Sequence, residues 1–194
     1  MVLRVATQEF TYLSTSPAKI KFILGDARLS LEREVAAGQF SAPRQRFDIL
    51  SIDAFSSDAI PVHLMTREAL ALSAQVIKPD GGIAFHVSSR FLDLAPVVAQ
   101  ISAAQAFEAL EIDDDPRDFD LYSPSEWVLV SHHHAFLAQS IVAKGGHAVT
   151  PVCRCACGRI SSTTCSKSCA RIRPRRNVFA FDLLFFSNAS NGLQ

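Results

Sequence analysis

The sequence predicts an α/β fold, a mostly parallel sheet with flanking helices. Short apolar, β-compatible runs alternate with amphipathic stretches of helical length, the pattern of βαβ units. Turn signals separate them, among them Gly25-Asp26, Pro79-Asp80-Gly81-Gly82 and Gly145-Gly146. With 194 residues, 48% hydrophobic and 20% charged, the chain is globular rather than disordered and long enough for one cored domain.

Residues 4–13 read as the end of a helix or a loop. Residues 19–24 (KIKFIL) read as a strand that stops at Gly25-Asp26. Residues 27–37 read as a helix whose apolar positions are Leu29, Leu31 and Val35. After a polar loop, residues 47–53 (FDILSID) form a strand that delivers Asp53 to its end. A loop with Asp58 and Pro61 follows. Thr66 then caps a helix over 66–78 with Glu68 in its first turn, and the Pro-Asp-Gly-Gly turn ends it. Residues 83–87 form a short buried strand, and 93–107 a helix with Pro96 tolerated in its first turn. Residues 109–112 and 126–131 are further strands, and 134–144 a last helix closed by glycines. No internal repeat is visible.

Beyond residue 150 the periodicity ends, which divides the chain into a domain over 1–150 and a Cys/Arg-rich tail over 151–194, expected to be disordered. The zero net charge hides an asymmetry: 12 Lys+Arg against 18 Asp+Glu in the domain, 7 against 1 in the tail. No apolar run approaches the ~18–20 residues of a membrane helix, and the N-terminus does not read as a signal peptide, so a cytoplasmic location is expected. The five cysteines lie between 153 and 169; their odd number argues against a disulfide framework. Only Cys165 and Cys169 have zinc-like spacing, so no metal is expected. The basic run over 171–176 (RIRPRR) has the charge for RNA or anionic lipid, but a solvated basic tail is the simpler reading, and no nucleic-acid partner is expected.

In open α/β sheets ligands sit beyond the carboxyl ends of the strands. Asp53 and Asp58 would face such a ligand, and two acids close together suit a cation. His86, at the end of the next strand, could touch substrate or bond to a loop carbonyl. Asp26 could cap helix 27–37, meet a ligand, or both. His63 reads as a surface loop residue, His132-His133-His134 as a solvated turn, and Trp127 as core or interface packing. The aspartates from 113 to 120 lack the glycine and terminal glutamate of a calcium loop. Ser56-Ser57 has no partner histidine at an informative spacing, so a serine nucleophile is not expected.

Three ordered blocks, GDARLSLERE (25–34), FDILSIDAFSSDAIPVHLMTREA (47–69) and PDGGIAFHVSSRFLDLAPVV (79–98), resemble the spermidine synthase-like, or polyamine aminopropyltransferase, proteins. The resemblance is nearest the bacterial branch often fused to a transporter-like membrane region and covers roughly residues 4–143. It implies a Rossmann-like, class I methyltransferase-type fold with strand order 3-2-1-4-5-7-6. It also implies aminopropyl transfer from decarboxylated S-adenosylmethionine, the co-substrate, to a polyamine such as putrescine. Asp53 then matches the acid that acts as base or orienter of the amine, and Asp58 the acid that holds the far ammonium. Asp26 matches the acid near the adenine amino group, with Ala27 offering its backbone, and His86 stands where a glutamine is frequent. The sequence departs from the family in three ways: four residues separate Asp53 from Asp58, Pro61-Val62-His63 replaces a Gly-Pro turn, and His86 replaces that glutamine.

No Gly-rich loop or ribose-binding acid precedes residue 25, so the resemblance implies that the first two strands are missing and that activity is weak or absent. Segment 19–24 is then expected to pair directly with 47–53. The other ways to treat that edge are another chain, as in a homo-oligomer, or exposure. Residues 157–170, read from the third base of each codon with suitable codon choice, approach the family's Trp-Thr-Asp segment. The tail is therefore expected to be a frameshift product with no evolved fold. The rival functions are an S-adenosylmethionine-dependent methyltransferase and a non-catalytic remnant or binding module.

Overall fold

Local signals place most of the elements. The computed structural model describes residues 2–54, 60–89, 91–114, 124–139, 142 and 145–149. The helices are α1 (Val2–Gln8), α2 (Ala27–Ala36), α3 (Arg67–Val76), α4 (Ala95–Ala103) and α5 (His134–Leu137). The strands are β1 (Phe47–Ile52), β2 (Ile77–His86), β3 (Glu108–Asp114), β4 (Ser125–Ser131) and β5 (Gly146–Ala148). Asp26 caps α2 by accepting the Leu29 N–H, and the Thr66 hydroxyl caps α3 by accepting the Ala69 N–H. Pro96 sits in the first turn of α4, where its missing N–H costs no helical bond.

The five strands form a mixed sheet in the order β1-β2-β4-β3-β5. The expected mostly parallel sheet is corrected: β1 and β2 are parallel, but β2–β4, β3–β4 and β3–β5 are antiparallel. The reason lies in the connections. Helix α3 carries the chain from β1 back to a parallel β2, whereas about ten residues separate β3 from β4, short of a parallel crossover.

Segment 19–24 is not a strand, and among the described residues β1 pairs only with β2, which corrects the expected pairing of 19–24 with 47–53. The segment runs beside α2, where Lys21 Nζ meets Glu34 Oε1 at 2.8 Å. Leu24 is 80% exposed and Ile49 of β1 53% exposed. An apolar β-branched run becomes a strand only where a neighbour takes its backbone groups.

The Pro79–Gly82 stretch is not the expected turn, and α3 ends earlier, at Val76. Strand β2 starts at Ile77 and absorbs the stretch as a bulge: Phe47 opposes Ile77 and Ile49 already opposes Gly82. A side chain at Gly81 would bring Cβ within 2.5 Å of the Asp48 carbonyl, and one at Gly82 would run into the Phe136 ring. The helix expected over 134–144 is described as helical at His134–Leu137, and Gly146 begins β5 rather than a cap. Residues 151–194, with all the cysteines, the basic run and the proposed frameshift, lie outside the described residues.

The core forms where β1, β2 and β4 meet α3 and α4. Leu50, Leu70, Val76, Ile83, Phe85, Val98, Val128 and Val130 are all buried to 2% exposure or less. Each such side chain contributes roughly 1.5–3 kcal/mol on leaving water. These buried residues anchor the two parallel strands whose carboxyl ends carry Asp53 and His86.

Candidate functional site

Strand register brings the principal pair together. Ile52 opposes Phe85 in the parallel ladder, so the next residues, Asp53 and His86, stand side by side at the carboxyl ends of β1 and β2. Asp53 Oδ1 lies 2.6 Å from His86 Nδ1, with 30% and 16% of the two side chains exposed. An ionised carboxylate only accepts, so Nδ1–H donates, and in the neutral ring Nε2 then carries the lone pair. At 2.9 Å from Nε2 stands Ser88 Oγ, which donates its proton to the ring in that neutral tautomer. The same oxygen accepts the Glu126 N–H at 2.8 Å. Trp127, opposite His86 across the β2–β4 ladder, stacks on the imidazole with ring centroids 4.4 Å apart and planes 7° from parallel. The result is a chain from Ser88 through His86 to Asp53, fixed by two strands and covered on one face by an indole.

Sequence reasoning paired neither Asp53 with His86 nor His86 with Ser88, and it left Trp127 as packing. One signal was present. His86 and Ser88 are two apart on extended backbone, so their side chains share a face.

A second corner holds Asp26. Its Oδ1 accepts the Leu29 N–H at 2.9 Å and its Oδ2 faces His63 Nε2 at 3.0 Å. The Leu29 hydrogen bond, and after it the His63 charge, hold this carboxyl below its ordinary range. Arg28 Nη1 donates to the His63 carbonyl at 3.1 Å. His63 is thus more than the surface loop residue expected, because it ties α2 to the loop that leaves Asp53. Ala27, the first residue of α2, packs against the core. Asp58 and Ser56-Ser57 lie outside the described residues. Asp53 and His86 are therefore brought into contact, while Asp26 is joined to the same loop at its far end.

A cleft of about 410 Å³ is bordered by Lys21, Gly25, Ala27, Glu34, Phe40 and Phe47. Its lining includes Gly25, Ala27 and Phe47, the first residue of β1, but not Asp53. In the histidine run, His132 stacks on Phe107 and its Nδ1–H donates to the Ala106 carbonyl at 3.2 Å, while His134 meets Glu108 at 2.8 Å. That bond raises the His134 pKa. Among the described residues no group of three His, Cys, Asp or Glu side chains could hold a metal, and no helix is long and apolar enough to cross a membrane.

No family model matches the chain. Over 81 residues, 42% of this chain, it is 31% identical to the polyamine aminopropyltransferase of Vibrio vulnificus. The matched part spans 24% of that protein's length.

Proposed function

We propose that residues 1–150 are a Rossmann-like, spermidine synthase-like domain that binds a polyamine such as putrescine and the aminopropyl donor decarboxylated S-adenosylmethionine. The observation that carries this reading is the Asp53 carboxylate at the carboxyl end of a parallel strand, held by His86 at 2.6 Å. The partial identity to a polyamine aminopropyltransferase supports it. So does the strand order, because β1-β2-β4-β3 corresponds to the 4-5-7-6 part of the methyltransferase-type sheet.

In the reaction the amine nitrogen attacks the donor carbon next to the sulfonium. A C–N bond forms, the C–S bond breaks with its electron pair going to sulfur, and methylthioadenosine leaves as a neutral thioether. The attacking amine must first lose a proton, and Asp53 with His86 provides the basic pair. Asp58 holds the distal ammonium. Asp26 takes the adenine amino group in place of His63, beside the Ala27 backbone.

Calorimetry tests the reading. Putrescine and methylthioadenosine should both bind, Asp53→Asn should weaken putrescine at least about tenfold, and the decarboxylated donor should bind more tightly than S-adenosylmethionine. Preference for S-adenosylmethionine would favour methyl transfer, and failure of both ligands to bind at millimolar concentration would favour a non-catalytic remnant.

A further inference from the structure

Helped by the 2.9 Å and 2.6 Å contacts that join them, we infer that Ser88, His86 and Asp53 form a proton relay in which the Ser88 hydroxyl is the group that meets the acceptor amine. The inference rests on the aminopropyl-transfer reading and deepens it. It moves the base from the Asp53 carboxylate to the His86 ring and makes Ser88 a catalytic residue.

Three features support this. Asp53 Oδ1 is committed to the ring, which fixes the Nδ1–H tautomer and leaves the Nε2 lone pair directed at Ser88. An ordinary imidazole also binds a proton roughly 400-fold more tightly than an ordinary aspartate carboxylate, so it is the better acceptor from an alkylammonium. Ser88 is partly exposed, and the Glu126 N–H, donated at 2.8 Å, holds its oxygen beside the ring.

The step balances. The ammonium N–H proton passes to Ser88 Oγ as the Ser88 proton passes to His86 Nε2. The products are a neutral amine, an intact serine and an imidazolium paired with the Asp53 carboxylate. The same three groups resemble a nucleophilic serine arrangement. However, the Ser88 oxygen already accepts the Glu126 backbone N–H at 2.8 Å.

Two measurements on the full chain test the relay. Nitrogen-15 NMR of the histidine ring should show His86 protonated at Nδ1 and not at Nε2 near neutral pH, and Asp53→Asn should disturb that state. In single-turnover transfer from the decarboxylated donor to putrescine, Ser88→Ala should slow product formation about 100-fold near pH 7. Putrescine affinity should fall far less than the rate, and the deficit should shrink as pH rises and the amine becomes neutral in solution. Ser88→Thr, which keeps the hydroxyl, should recover most of the rate. An Nε2–H ring, or a Ser88→Ala variant as fast as wild type, would overturn the relay while leaving the aminopropyl-transfer reading intact. Labelling of Ser88 by a fluorophosphonate that depends on His86 would overturn it in favour of acyl transfer. A wild-type chain that binds neither substrate would defeat the reading itself, and the relay would fall with it.

Discussion

Two histidine–aspartate contacts lie on either side of one loop, and they differ in everything except their chemistry. At the strand ends, His86 meets Asp53 at 2.6 Å with side chains 16% and 30% exposed. The histidine's second nitrogen is bonded, and its face is covered by Trp127. At the other corner, His63 meets Asp26 at 3.0 Å with side chains 47% and 37% exposed. Here the aspartate is also a helix cap, and the histidine sits on a short 3-10 turn, Val62–Leu64. A hydrogen-bonded pair held at the ends of two paired strands has its geometry fixed before any ligand arrives. A half-exposed pair on a turn spends its attraction against water and contributes little. In the proposed function the first pair is the reacting one, and the second, until a ligand takes Asp26, is a tether between α2 and the loop.

The largest effect that separates the two is on transfer. Asp53→Asn should lower the rate at least about 100-fold while the far-ultraviolet dichroism stays unchanged, because the variant removes the charge that orients His86 and keeps the shape. An equal loss from Asp26→Asn would erase the distinction. Trp127→Leu is expected next, at about tenfold in rate, because it keeps apolar volume and removes the stacked indole that holds the plane of the His86 ring. A wild-type rate there would make the indole mere packing. Asp26→Ala should act on stability instead: loss of the cap should cost about 1 kcal/mol in urea unfolding with putrescine affinity unchanged. The smallest change belongs to His63→Ala, below about 0.5 kcal/mol in the same measurement.

The pH dependence sharpens the contrast. The Asp26 carboxyl titrates below its ordinary 3.8 because Leu29 N–H and then His63 favour its charged form. Its contribution to stability is thus fully present above that value and is lost as pH falls through the lowered one. Wild-type and Asp26→Asn unfolding curves should converge in acid. His134, raised above 6.5 by its bond to Glu108, behaves oppositely. Its contribution is present below 6.5 and lost as pH rises through the raised value, so His134→Ala should narrow its gap to wild type in mild alkali.

The legible parts of the fold were those set by short-range signals. Asp26 and Thr66 cap helices because their oxygens reach N–H groups three residues on, and Pro96 opens a helix because its ring fits only there. Asp53 at a strand end followed from an apolar run that stops. The rest depends on partners that a local pattern does not name. Segment 19–24 has strand composition, yet with no neighbouring strand it lies along α2. Strand direction in β3, β4 and β5 follows from connection length and sheet order, not from residue type. The contact of Asp53 with His86 needs the β1–β2 register, which a three-residue bulge at residues 78–81 sets and no periodicity reveals. Ser88 was within reach of sequence reasoning, since alternation alone puts it on the His86 face.

The central claim is that acidic and basic groups at the carboxyl ends of β1 and β2 form a site for a cationic amine. Titrating putrescine into the protein while following the Trp127 indole N–H by NMR tests it most directly. The account predicts a saturable shift that disappears in Asp53→Asn and persists in Asp26→Asn. A resonance that does not move, or that moves equally in the Asp53 variant, would contradict it.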